Sequence, residues 1–241
     1  MNKSYWAGHI LQFDKKPSPV YDSIAGAKLL ILFFIMEGIL GPRFALATWL
    51  GIPVPEATIR IPLMLLLALI LIRSFAGIKF SQIGLYTWRY WSATERWYFI
   101  QTLILVNLIF GIILLSKLKI ILFQPALWST AIAVLATHLF WGFYQELIYR
   151  GILQTELVRR WGTLAGIFTS NILFTFGPLH FYHLQGIREN PSHEWIFAAI
   201  FAIGLFFGFL FHRSSNLWIV GIFHGVGDWY LTGLQQVVST N

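Results

Sequence analysis

"ALWSTAIAVLATHLFWGFYQELIYRGILQTELVRRW", residues 126–161, begins as an apolar run and then sets Gln145, Glu146 and Arg150 close together. Residues 126–147 alone match the roughly 20 apolar residues that cross a hydrocarbon core about 30 Å thick. A carboxylate and a guanidinium facing lipid are costly, so the stretch reads as a membrane helix whose polar residues turn toward a bundle interior. The helix is expected to run on toward "ELVRRW" before Gly162 breaks it.

The remaining chain fits the same class. Its 241 residues are 57% hydrophobic and 11% charged, with 22 Phe, and the mean hydropathy is +0.67. That leaves too little polar surface for a soluble domain. Seven spans are expected, near 24–42, 58–77, 97–116, 126–147, 162–182, 195–212 and 215–234, with an eighth if one run is two re-entrant pieces. The fold class is all-α, a polytopic transmembrane bundle of about 7–8 spans. With no fixed-period repeat or low-complexity tract, residues 1–241 read as a single integral-membrane domain.

Charge and cysteine content narrow the partners. The absence of cysteine removes disulfides, thiolate metal sites and thiol nucleophiles. The formal charge is +7, but the basic residues are scattered between apolar runs, which points to the bilayer and away from nucleic acid. Residues 1–23 contain no continuous apolar segment, so no cleavable signal is expected. With the N-terminus inside, eleven Lys and Arg from Lys3 to Arg213 fall in cytoplasmic segments. Five fall opposite: Arg43, Arg60, Lys117, Lys119 and Arg188. The positive-inside rule then gives a multi-pass protein of the cell membrane with a cytoplasmic N-terminus and a non-cytoplasmic C-terminus.

Three polar clusters fall within or beside spans: Gln145–Glu146–Arg150; Phe176 and His180 around the Gly-Pro break in "FGPLH"; and His224 and Asp228 in "HGVGD". Singly, each has an ordinary explanation. Glu146 and Arg150 suit a helical i,i+4 ion pair, and His180 suits the membrane interface. His224 and Asp228 share a helical face flanked by Gly221, Gly225 and Gly227, which suggests close packing around something polar. Together the three clusters offer carboxylates and imidazoles from separate helices, and burial is tolerable if they converge. Such a set can activate water, orient an imidazole tautomer and stabilise an oxyanion. Ser170 lacks a nucleophile elbow around it.

Glu-x-x-x-Arg, Phe-x-x-x-His and His-x-x-x-Asp in this order resemble the CPBP intramembrane proteases, which include the CAAX prenyl endopeptidases and the bacterial Abi-type proteins. The resemblance covers about residues 126–235, the expected catalytic core. It implies peptide-bond hydrolysis within the membrane by glutamate-activated water. Glu146 would then be catalytic, with His180 assisting the water and His224 with Asp228 on the oxyanion side. Arg150 would hold the helix or the substrate, and Gln145 and Phe176 would support the site. The implied substrate is a membrane-anchored or lipidated protein cut near its C-terminus.

The family motif usually begins with two adjacent glutamates, and here the first place is Gln145. An amide keeps the shape of a carboxyl and can hold a water, but takes no proton at neutral pH. Three readings fit: Glu146 does the work, the protein is a non-catalytic membrane factor on a protease scaffold, or position 145 carries an inactivating substitution. A transporter using the same cluster is a further class, but matching halves with paired broken helices are not visible. Two His with Glu and Asp form a possible ligand set for zinc. The resemblance implies a mechanism needing no metal, and the His-Glu-x-x-His signature is absent.

Among the remaining polar residues, Lys28 and Glu37 are nine apart in the first span and lie on roughly opposite faces. Lys28 is expected to snorkel, and Glu37 to face the bundle interior or reach the polar cavity. His138 is expected to share the face of Gln145, and His183 and His193 to be solvated in a connector. Counted along straight helices, Glu146 and Asp228 stand about 21 Å, His224 about 15 Å and His180 about 27 Å above the cytoplasmic ends. That depth places the site toward the non-cytoplasmic side, beneath residues 180–195.

Overall fold

In the computed structural model, residues 13, 20–39, 56–177, 180 and 195–239 are described, apart from the side chains of 38 and 39. Helix α1 (Ser23–Phe34) starts where the Asp22 carboxylate accepts a hydrogen bond from the Ala25 amide at 2.6 Å, satisfying a donor that a helix N-terminus otherwise leaves unpaired. It widens into a π-helical turn over Ile35–Ile39. Helix α2 spans Ala57–Ser74, and two short 3₁₀ turns, Phe80–Ile83 and Trp88–Tyr90, lead into α3 (Ala93–Ile113). A reciprocal Ser92–Glu95 capping box opens α3.

A short helix α4 (Leu115–Phe123) then reaches the decisive stretch. Helix α5 (Trp128–Glu146), a π-helical segment (Leu147–Gln154) and α6 (Thr155–Trp161) join into one rod, helical from Pro125 to Trp161. Gly162 ends it at φ +81°, a conformation that favours glycine. The run-on into "ELVRRW" expected from sequence is therefore present. Helix α7 (Thr163–Phe176) follows, then α8 (Trp195–Ser214) and α9 (Leu217–Asp228). A π-helical turn (Trp229–Gly233) and α10 (Leu234–Ser239) complete the described chain.

All regular structure among the described residues is helical. Four helices are long and apolar enough to cross a membrane: Ala57–Ser74, Ala93–Ile113, Pro125–Trp161 and Trp195–Ser214. The chain is a helical membrane bundle. The seven expected spans each coincide with a helical unit, but not every unit is a full-length span. The α7 helix stops at Phe176, short of the expected 182, because the chain turns extended at Gly177 ahead of Pro178. The short α4 was not expected.

Burial is organised around the long rod. All eight residues of its π-helical segment are buried, with α1, α7, α8 and α9 packed about it. Helix α1 lies antiparallel to the rod: Gly26 faces Glu156, the Phe33 and Tyr149 rings meet at 5.4 Å, and the Tyr144 hydroxyl donates to the Met36 carbonyl at 3.3 Å. Helix α9 packs on α5 at backbone distance. A Cβ built at Gly225 would stand 2.6 Å from the Leu139 Cα, and one at Gly221 would stand 2.6 Å from the Phe143 ring. Helices in lipid gain little from hydrophobicity between them, so such close approach is what dispersion requires. Ile104, Leu105, Leu108 and Ile112 of α3 project outward, as lipid-facing side chains do.

Candidate active site

The site grows from the junction of the rod with α9. Glu146 ends α5, and His224 lies on α9 across the glycine-lined contact. With no side chain on Gly142 or Gly225 to separate the helices, the His224 Nδ1 comes within 2.7 Å of the Glu146 Oε1. The other carboxylate oxygen, Oε2, lies 3.2 Å from the Arg150 Nε one turn along. Glu146 is 0% exposed and Arg150 1%, so each charge is viable only because the other is there.

Arg150 ties further elements together. Its Nη2 donates to the Gly204 carbonyl on α8 at 2.8 Å, and its guanidinium lies 4.2 Å from the centre of the Phe174 ring on α7. The Nη1 has no acceptor among the described residues. Small residues make the approach possible, since a side chain at Gly204 would collide with Asn171. The rod, α7 and α8 thus converge on one guanidinium.

The two imidazoles flank Phe174. Its ring stands edge-on to His180 at 4.8 Å and to His224 at 6.0 Å. The His180 Nδ1 is 2.6 Å from the Phe174 carbonyl. A carbonyl only accepts, so Nδ1 carries the proton and Nε2 of the neutral ring is the acceptor. The same logic applies to His224, whose Nδ1 faces a carboxylate. Its Nε2 lies 3.7 Å from the Asp228 Oδ2, and the Asp228 side chain is 27% exposed. His224 therefore has a carboxylate oxygen facing each ring nitrogen, whereas His180 holds its proton on Nδ1.

The sequence-derived candidates thus divide. Glu146, Arg150, His224 and Asp228 are joined in one chain of contacts, with His180 attached through Phe174. Gln145 is buried beside Glu146, and its Oε1 has no donor among the described residues. Phe176 does not join the cluster: it is 50% exposed and stacks on Phe197 at 5.5 Å. Two residues along a helix turn a side chain by about 200°, so it is Phe174 that faces inward. The sequence reading missed Phe174, and its place four residues after Ser170, whose hydroxyl donates to the Tyr149 carbonyl, was the available signal.

His138 lies against Gly233, where a built Cβ would be 3.1 Å from its Nε2. His183, His193 and most of the connector over residues 180–195 lie outside the described residues. Among the described residues no group of three His, Asp or Glu is arranged to hold a metal ion.

One family model matches the chain, over residues 126–230, described as Rce1-like: type II CAAX prenyl endopeptidase. No curated protein and no solved structure matches it. The matched segment begins with the rod and ends just past Asp228, and so contains Glu146, Arg150, Phe174, His180, His224 and Asp228. Over that segment, the part of the chain that builds the site is similar to the Rce1-like, CAAX-type membrane protease family.

Proposed function

We propose that this protein is an intramembrane endopeptidase that cuts a membrane-anchored or lipidated protein near its C-terminus. The observation that carries the reading is the Glu146–His224 contact buried beside Arg150, drawn from two helices within the segment that matches a protease family. In this reading Glu146 fixes the His224 tautomer, and an imidazole Nε2 takes the proton of the attacking water. His180 orients that water. The spare Arg150 Nη1 donor receives the carbonyl oxygen as it gains charge.

The test is cleavage by purified protein in lipid of a lipidated C-terminal peptide. Glu146→Gln is expected to lose about 10²–10⁴-fold in kcat, the usual range for proton-transfer groups, with Gln145→Ala losing less. A soluble peptide without an apolar segment is expected to be a poor substrate, and its efficient turnover would count heavily against the proposal. Gln145 favours a second reading, a non-catalytic factor that binds the same membrane-proximal tails. That reading gains if function in cells survives Glu146→Ala.

The charge bias favours a cytoplasmic N-terminus and a site reached from the non-cytoplasmic side, which suits C-terminal anchors of exported proteins. Cysteines placed singly at Gly186 and Lys79 in this cysteine-free chain test it. An impermeant reagent on intact cells is expected to label position 186 and not 79, and the converse refutes the orientation.

A further inference from the structure

Away from the candidate active site, the start of α1 and the turn after α2 enclose a cavity of about 430 Å³. That volume falls within the roughly 300–1,000 Å³ of small-molecule sites. Its walls come from segments distant in sequence and are tied to each other. The Gln82 side chain donates to the Val20 carbonyl ahead of α1 and accepts from the Lys79 amide. Gly77, at φ +71°, contributes backbone without a side chain, and a Cβ built there would meet nothing within 4 Å. The space is thus framed by bonds within the protein, which lowers the ordering cost of filling it.

The lining carries uncompensated positive charge. Lys28 on α1 and Lys79 beyond α2 both border the cavity, and among the described residues neither forms an ion pair. The Lys28 ammonium stands 5.6 Å from the centre of the Phe75 ring, as a lysine does when its stem follows apolar surface and its head reaches toward water. The acid in the wall, Asp22, is committed through Oδ1 to the Ala25 amide at 2.6 Å. Nearby, the Arg159 guanidinium lies 5.2 Å from the centre of the Tyr21 ring, which also lines the cavity. That arginine is already matched by Glu156, so the two lysines are the charges left to an incoming anion.

The surroundings say which anion. The membrane-crossing helix Ala57–Ser74 ends just before Ala76 and Gly77 in the wall, so the cavity lies where the hydrocarbon core gives way to headgroups. Leading away from it, Ile24, Ile31 and Phe34 on α1 and Ile70 and Phe75 at the end of α2 are exposed apolar side chains. Such a seam suits acyl chains, and a soluble phosphate compound would leave it unused. We propose that the cavity binds the phosphate headgroup of an anionic phospholipid, with Lys28 and Lys79 as its charge partners and its acyl chains along α1 and α2. Basic pockets between membrane helices hold acidic lipid headgroups in this way. The site is separate from Glu146 and His224 and does not depend on the endopeptidase reading.

The experiment titrates the full chain in neutral detergent with dioleoyl-phosphatidylglycerol or dioleoyl-phosphatidylcholine and reads bound lipid by native mass spectrometry. Phosphatidylglycerol is expected to bind about tenfold or more tightly than phosphatidylcholine. Lys28→Gln and Lys79→Gln should each weaken phosphatidylglycerol about fivefold, and the double variant about 30-fold, with phosphatidylcholine unchanged. The double variant Lys117→Gln, Lys119→Gln removes the same charge from α4 and should change neither lipid by more than about twofold. Unfolding temperatures without lipid are recorded for every variant. If Lys28→Gln proves unstable, Lys79→Glu, at an exposed position, must by itself weaken phosphatidylglycerol about fivefold or more.

Equal binding of the two lipids by the parent chain overturns the proposal, as does phosphatidylglycerol binding that survives loss of both lysines. An equal loss in the Lys117 and Lys119 variant also overturns it, because the attraction would then be diffuse. Glycerol 1-phosphate and inorganic phosphate are the soluble arms. If either displaces phosphatidylglycerol at equal concentration, the cavity is a site for a free phosphate compound and the lipid assignment falls.

Discussion

Removing the Arg150 guanidinium should unfold the bundle more readily than any other single change at the site. Arg150→Leu leaves the Glu146 carboxylate, 0% exposed, with only His224 beside it. Breaking a buried pair by deleting one partner costs about 3–5 kcal/mol, because an uncompensated charge stays behind. The lost bond to the Gly204 carbonyl at 2.8 Å adds about 1–3 kcal/mol for an orphaned buried group, less what leucine regains against Phe174. At about 2–4 °C per kcal/mol for a chain of this size, the pair alone lowers the unfolding temperature by roughly 6–20 °C. The double variant Glu146→Gln, Arg150→Leu removes the stranded charge and should therefore be more stable than Arg150→Leu. Arg150→Lys keeps the charge but loses the fork to Gly204 and the flat contact with Phe174, so it should fall between. The assay is unfolding of purified protein in detergent, followed as a double-mutant cycle. Additive effects, or an Arg150→Leu shift below about 2 °C, would refute the view that the pair is the keystone of the site.

The remaining predictions probe neighbouring contacts. Phe174→Ala, at a position 2% exposed, should destabilise by about 3–5 kcal/mol, whereas Phe176→Ala should stay within about 1 kcal/mol; unfolding temperatures compare the two. Gly225→Ala should destabilise and reduce cleavage, because the added methyl meets the Leu139 Cα at 2.6 Å. Gly227→Ala has nothing within 4 Å and should be neutral or more stable by up to about 1 kcal/mol. His180→Ala should lower kcat about 10²-fold or more with little change in KM, as expected of a group acting on the water.

The bundle and the polar chain were legible in the sequence to different depths. Length and hydropathy placed a helix in each of the seven expected stretches and missed the short α4, because a membrane span must satisfy its own backbone and so leaves a long apolar record. Glu146 and Arg150, and His224 and Asp228, were legible because a spacing of four puts both members of each pair on one face. The same reasoning failed at Phe176 and His180, where Gly177 and Pro178 interrupt the helix and helical spacing no longer says which ring turns inward. Glu37 was noticed, but its neighbours could not be read, since no local pattern records which face of α1 packs on which part of the rod. The helix contact between α5 and α9 was hinted at only by the glycines around His224, of which Gly221 and Gly225 make it.

The π-helical segment at Leu147–Gln154 also bears on how sequences of this kind should be compared. A turn that holds an extra residue rotates everything beyond it by about 100° relative to an unbroken α-helix. One continuous helix can therefore show Glu146 and Arg150 to α8 and α9 while showing Glu156, held by Arg159 and Arg160, to the start of α1. A gap introduced by alignment within residues 147–154 would mark a relative that lacks the widened turn, and not a misplaced residue. In such a relative the arginine-facing half and the α1-facing half of the helix would have to be aligned as two separate blocks.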